Sequence, residues 1–216
     1  MNVLLSYPFT ETTPHAPDGA PVKISAHARM ARGDMSNSSV VSFWNHAGTH
    51  VDGPSHMVKD APPLCSFGID RFIYERPLLV DVPKSDSELV MPADLKAADC
   101  DLLLLRTGYS RCRNELRYRD KSPGLSAAVA EFIVENFPLL KALGIDSISI
   151  AAPEHLGEGI EAHRILFKNR GRPPILLIED LDLRSVNNPI KKVYALPLLV
   201  EGIDSAPCTV VAELER

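Results

Sequence analysis

The apolar positions of the chain follow two different rhythms. From Met1 to about Val82, short runs such as VVSFW (Val40 to Trp44) and LLVDV (Leu78 to Val82) are separated by segments dense in Pro, Gly, Asp and Ser. That is the pattern of strands joined by turns. After Pro92 the runs alternate in kind. DLLLLR reads as a short buried strand, LSAAVAEFIVENF as a helix, SISIA as a strand, GIEAHRILF as a helix and PILLI as a strand. Strands separated by helices imply crossover connections and a partly parallel sheet. The closing run VYALPLLVEGIDSAPCTVVAEL predicts two further strands around a Gly/Asp/Pro loop.

In the long helix, Leu125, Val129, Phe132, Ile133, Phe137 and Leu140 fall near a 3.6-residue period, a stripe that can pack on a sheet. Pro138 should break it. The expectation is a stop before Pro138, then a short second helix with the proline in its first turn and Gly144 as a left-handed cap. The fold class that follows is α/β, a mixed β-sheet core with packed helices. No repeat or linker divides the 216 residues, so 1–216 is read as a single domain with its own core.

Composition narrows the function classes. With 45% hydrophobic and 24% charged residues the chain is neither disordered nor fibrous. Its 23 basic and 28 acidic residues are spread along the length, which argues against nucleic acid as a partner. No run of about 18 apolar residues occurs, and MNVLLSYPFTETTP lacks a basic leader region, so membrane spanning and export are disfavoured. Cys65, Cys100, Cys112 and Cys208 show no CxxC spacing and read as reduced thiols in a cytoplasm.

The candidate chemistry lies in HAGTHVDGPSH, from His46 to His56. A helix would put His46 and His50 on one face, but Gly48, Gly53 and Pro54 oppose it. In a straight strand His46, His50, Asp52 and His56 share one side, yet His46 and His50 would stand roughly 13 Å apart with parallel side chains. Both imidazoles could not then lie within about 2 Å of one ion. The chain must bend, and Gly48, midway between them, can take the backbone angles required. Beyond it, His50 and Asp52 are two residues apart on one face, and Gly53-Pro54 turns the chain so that His56 approaches the same space. Nitrogen and carboxylate donors without cysteine suit Zn²⁺ or Mn²⁺.

The pattern His46-x-Gly48-Thr49-His50-x-Asp52-x-Pro54-x-His56 resembles the signature of the metal-dependent cyclase family, which includes bacterial kynurenine formamidases (arylformamidases) and isatin hydrolases. LSYPFTETTPHAPDG, LLLLRTGYS, SPGLSAAVAEFI with LGIDSISI, AHRILF with ILLIEDLDL, and ALPLLVEGIDSAPCTVVAEL are similar to successive parts of that family. The resemblance implies a swivelling β/β/α fold, one metal bound by His46, His50 and Asp52, and a second bridged by Asp52 and held by His163 and Glu179. His56 would be the catalytic acid/base, near the metal without being bound to it. Two departures stand out: the KNRGRPP loop lengthens the interval from His163 to Glu179, and EDL replaces the family's frequent Glu-Asn-Leu, so Asp180 should alter the surroundings of the metal.

The implied activity is hydrolysis of a C–N amide-type bond by metal-activated water, with an aryl formamide such as N-formylkynurenine as the first substrate. The alternatives are opening of a cyclic amide or lactone, as in isatin hydrolases, and a metal-binding module without turnover. A homo-oligomer, at least a dimer, is implied by the same resemblance. Outside the motif, Arg111, Arg113, Arg117 and Arg119 read as a solvated loop salted by Glu115 and Asp120, with a substrate-carboxylate or nucleic-acid contact covering the site as the alternative. Phe43, Trp44, Phe67, Phe72 and Tyr74 read mainly as core, with a pocket wall as the alternative role. His15, His27 and His155 read as structural or surface residues, and Ser122, Ser126 and Ser149 lie in no nucleophile elbow.

Overall fold

A nine-stranded mixed sheet carries the molecule. The structure, a computed structural model, describes residues 1–168 and 171–215; Asn169 and Arg170 of the KNRGRPP loop lie outside the described residues. In chain order the strands are β1 (Asn2–Leu4), β2 (Lys23–Ala28), β3 (Ser38–Ser42), β4 (His50–Asp52), β5 (Ile73–Tyr74), β6 (Pro77–Asp81) and β7 (Leu89–Val90). They continue with β8 (Leu102–Arg106), β9 (Gly124–Leu125), β10 (Ala142–Ile145), β11 (Leu176–Glu179), β12 (Ile190–Pro197) and β13 (Ser205–Leu214). The helices are α1 (Leu116–Asp120), α2 (Ala127–Asn136) and α3 (Leu156–Phe167).

The sheet runs β5-β12-β13-β4-β11-β10-β8-β6, with β1 also on β13. Its two ends, β5 and β6, are joined through Glu75 and Arg76 alone, whose N–H groups the Asp101 carboxylate accepts at 2.9 Å each. The sheet therefore rolls until it nearly closes. From β6 to β11 the neighbours are parallel, and from β11 through β4, β13 and β12 they are antiparallel. The strands β2 and β3 form a separate, largely exposed hairpin.

DLLLLR is uniformly apolar because β8 is covered on both faces. Leu103 and Leu105 pack with Val129, Ile133, Ala162 and Ile165 of α2 and α3. Leu102 and Leu104 point into the rolled sheet with Val51, Tyr74, Ile178 and Val193. All four leucines are fully buried, each contributing about 1.5–3 kcal/mol. The Ser126 hydroxyl caps α2 by accepting from the N–H of Val129 at 3.1 Å.

Two expected elements are corrected. The helix does stop before Pro138, but Ala142–Ile145 forms β10 instead of a second short helix. Gly144 is not a left-handed cap; it lies flat in the strand, where a Cβ would strike side chains of Leu104 and Leu181. The SISIA segment then forms turns instead of a strand. A short apolar run carries no period of its own, so the open slot between β8 and β11 decides its conformation.

Candidate metal and proton-transfer site

The segment bearing the histidines bends where the sequence requires. Gly48 has φ +66°, and the chain then enters β4, the strand between β11 and β13. Register sets His50 opposite Glu179 and Asp52 opposite Leu177 on one side, so His50, Asp52 and Glu179 share a face. The Gly53 N–H donates to the Asp204 carbonyl at 2.8 Å, and a 3-10 turn over Pro54–His56 returns His56 toward His46, with ring centroids 4.2 Å apart. From the other side α3 presses on the turn at Ala151, where a Cβ on Gly159 would collide. That approach sets His163 with its Nε2 3.7 Å from Glu179 Oε1.

All six sequence-derived candidates, His46, His50, Asp52, His56, His163 and Glu179, line one cavity of about 520 Å³. Two donor triads share Asp52: His46, Asp52 and His56, and His50, Asp52 and Glu179, each with its ligand atoms within 4.8 Å of one another. His56 thus stands beside His46 and Asp52 at the edge of the donor set. His163 falls outside both triads but faces Glu179.

The donor set fits a divalent cation. His50 Nε2 lies 3.3 Å from both Asp52 Oδ1 and Glu179 Oε2, yet this nitrogen and Asp52 Oδ1 are buried without hydrogen-bond partners. Two buried carboxylates converging on one nitrogen, with the Asp52 oxygen and the nitrogen both unpaired, are costly without a positive charge among them. The tautomers agree: His50 Nδ1–H donates to the Gly48 carbonyl at 2.8 Å and His163 Nδ1–H to that of Gly159 at 2.7 Å, leaving each Nε2 a lone pair.

Electrostatics point the same way. Burial disfavours charge on His46, but Asp52 and Asp204 outweigh it and raise its pKa from 6.5 to about 10. His50 and His163 are likewise buried, and their carboxylate partners, Asp52 with Glu179 and Glu179 respectively, carry their pKa upward. Burial would protonate Asp52 and Glu179, but the imidazoles hold both below the usual carboxylate range. The site is built to concentrate positive charge.

Sequence reasoning missed four contributors. Asp204, in the polar loop before β13, sets Oδ2 2.9 Å from His46 Nε2 and 2.8 Å from His56 Nδ1, while Oδ1 accepts from Asn45 at 2.8 Å. Its hydrogen bonds to the two imidazoles hold its carboxyl far below the ordinary range. The only signal in the sequence was an acid beside a strand start in a Gly/Asp/Pro loop. Ser149 and Ile150 hold Glu179 Oε1 through a hydroxyl at 3.1 Å and an N–H at 2.7 Å, a task for the turn that replaced the expected strand.

The arginine segment is only partly a solvated loop. Arg117 pairs with Glu115 and Arg119 with Asp120 at the surface, but Arg113 is half-buried against the buried Asp180. Arg119 also lines the cavity, whose apolar walls include Trp44, Met57, Ile148, Leu156 and Ile160. Of the five flanking aromatics Trp44 alone reaches that wall; Phe72 and Tyr74 are core, and Phe43 packs on Phe9 with centroids 5.2 Å apart. His27 and His155 are exposed, and His15 lies outside this cavity.

Comparison with known proteins places the chain among relatives of one family. The profile of the family described as "Putative cyclase" matches residues 3–152. Cyclase-like protein 3 of Oryza sativa subsp. japonica is 30% identical over 198 residues, 83% of this chain and 67% of its own length, so the chain spans about two thirds of that plant relative. A kynurenine formamidase of Bacillus cytotoxicus is 25% identical over 94% of this chain and 92% of its own. Among solved structures, isatin hydrolase A from Ralstonia solanacearum superimposes with a TM-score of 0.85 at 18% identity, covering 100% of this chain and 92% of that one. A structure described as a potential metal-dependent hydrolase with cyclase activity gives a TM-score of 0.77 at 20% identity, covering 100% and 98%.

Proposed function

The chain belongs to the cyclase family, and on that premise we propose that it is a metal-dependent hydrolase opening a C–N amide-type bond, with an aryl formamide such as N-formylkynurenine as first substrate. The observation that carries the reading is the pair of buried, unpartnered atoms, His50 Nε2 and Asp52 Oδ1, on the wall of a cavity large enough for a small aromatic molecule. His46, His50, Asp52, His163 and Glu179 would hold one or two ions, Zn²⁺ or Mn²⁺ by donor type. A cation there would polarise a carbonyl and bring the pKa of a water down to about 7.

The chain supplies the rest. Trp44, Met57, Ile148, Leu156 and Ile160 exclude water around an aryl group. His56, its Nδ1 engaged by Asp204, keeps Nε2 to exchange a proton with the leaving nitrogen. Asp52, shared by both triads, fixes their spacing. The apolar wall accommodates a planar bicyclic amide equally well, so cyclic amide or lactone opening is the second reading. A metal-binding module without turnover is the third.

The proposed setting is a cytoplasmic homo-oligomer. The free cysteines support a reducing compartment, and no helix among the described residues is long and apolar enough to cross a membrane. Ile24 and Val41, cross-strand partners on one face of the β2–β3 hairpin, are exposed, a face suited to burial between copies.

The test is a metal-replete preparation assayed against aryl formamides, isatins and lactones beside Asp52→Ala. Turnover of one class, lost together with bound metal in the variant, is expected. Stoichiometric metal without turnover of any would leave only the module, and an Asp52→Ala protein with full metal and activity would sink the site assignment.

A further inference from the structure

Asp180, the residue after Glu179, has φ 54°, in the left-handed region that side chains with a Cβ disfavour. Every polar group it owns is held. Its N–H donates to the Ser147 carbonyl at 2.8 Å, and its carbonyl accepts from the Thr49 hydroxyl at 2.6 Å. Its carboxylate accepts a fork from Arg113, Nε to Oδ1 at 2.8 Å and Nη2 to Oδ2 at 2.6 Å, and a bond from the Tyr118 hydroxyl at 2.6 Å. Asp180 is 1% exposed and Tyr118 0%. Burial and the Asp180 carboxylate keep the Tyr118 hydroxyl protonated as a donor. The Arg113 guanidinium lies 3.8 Å over the Tyr7 ring.

A buried ion pair adds little net stability, since desolvation cancels most of its attraction, but a forked one fixes geometry. What it fixes follows from the neighbours. Thr49, which grips the Asp180 carbonyl, precedes His50, and Glu179 precedes Asp180. Ser147, which accepts the Asp180 N–H, begins the turn whose Ser149 and Ile150 hold the Glu179 carboxylate. One strained residue therefore joins the ends of β4, β11 and the turn after β10. Neither Asp180 nor Arg113 lines the metal cavity, but Arg119, six residues along from Arg113, does.

We propose that Asp180, clamped by Arg113 and Tyr118, is the positioning residue that sets Glu179 and His50 for cation binding and ties the arginine-bearing segment to the metal centre. The proposal rests on the metal-dependent reading above. Its test is calorimetric titration of chelator-stripped protein with Mn²⁺, with the Tm of each stripped variant recorded beside it. Asp180→Gly relaxes the backbone but removes the clamp, and Arg113→Lys removes the fork; each is expected to weaken Mn²⁺ binding by about 10–100-fold. Asp180→Asn tolerates the left-handed conformation and keeps an acceptor, so it should lose less. If wild type takes up no cation, the metal reading itself fails. If wild type binds and Asp180→Gly or Arg113→Lys binds equally tightly, with only a lower Tm, the clamp is structural and the proposal is overturned. Should Asp180→Gly not fold, Arg113→Lys decides alone.

Discussion

Oδ2 of Asp204 lies 2.8 Å from Nδ1 of His56, across 148 residues of sequence. The same oxygen lies 2.9 Å from His46 Nε2, so one carboxylate orients a prospective proton donor and a prospective ligand. Aligning an imidazole through its second nitrogen is the usual means of fixing its tautomer.

Asp204→Ala should therefore reduce kcat by about 10–100-fold while retaining most bound cation, because Asp52 still faces His46 Nδ1 at 3.0 Å. Steady-state kinetics on the responsive substrate, with metal analysis of the same preparation, would measure both. An unchanged kcat would remove Asp204 from the proton-transfer path.

Gly48→Ala tests the hinge. At φ +66° a Cβ would meet Thr13 Cγ2 at 3.2 Å and Phe9 Cζ at 3.3 Å, so urea denaturation of cation-free protein should show a loss of about 1–2 kcal/mol. Cation affinity should fall as well, since the Gly48 carbonyl accepts from His50 Nδ1–H. A neutral substitution would mean that the bend does not depend on this conformation.

Cation stabilisation should grow with pH. His46 has its pKa raised from 6.5 to about 10 in the cation-free chain, so its ion pairs contribute fully below about pH 6.5 and fade as pH rises toward 10. Asp52 and Asp204 have depressed pKa values, and their contribution persists throughout that window, being lost only in acid. A bound cation must displace the His46 proton, so affinity increases in the same direction. The Tm increment on adding Mn²⁺ should be larger at about pH 8.5 than at about pH 6, measured by differential scanning fluorimetry. An increment that shrinks over that range would contradict the assignment of His46.

The long α2, the β8 run and the final strand pair were legible because each pattern satisfies its element locally, a stripe for a helix and a doubly covered run for a central parallel strand. Ala142–Ile145 was misread because four apolar residues fit a helix turn or a strand equally, and only the gap between β8 and β11 selects one. The aromatic residues divided the same way: composition could not separate Trp44 on the cavity wall from Tyr74 in the core.

By itself the sequence determined the bend at Gly48 and the shared face of His50 and Asp52, because backbone sterics and strand parity act within a few residues. Tertiary structure alone decided that Glu179 faces His50, that Asp204 bridges His46 and His56, and that Arg113 forks onto Asp180. Those pairs join residues 67 to 158 positions apart. Strand register and loop return fix them, and no local spacing encodes either.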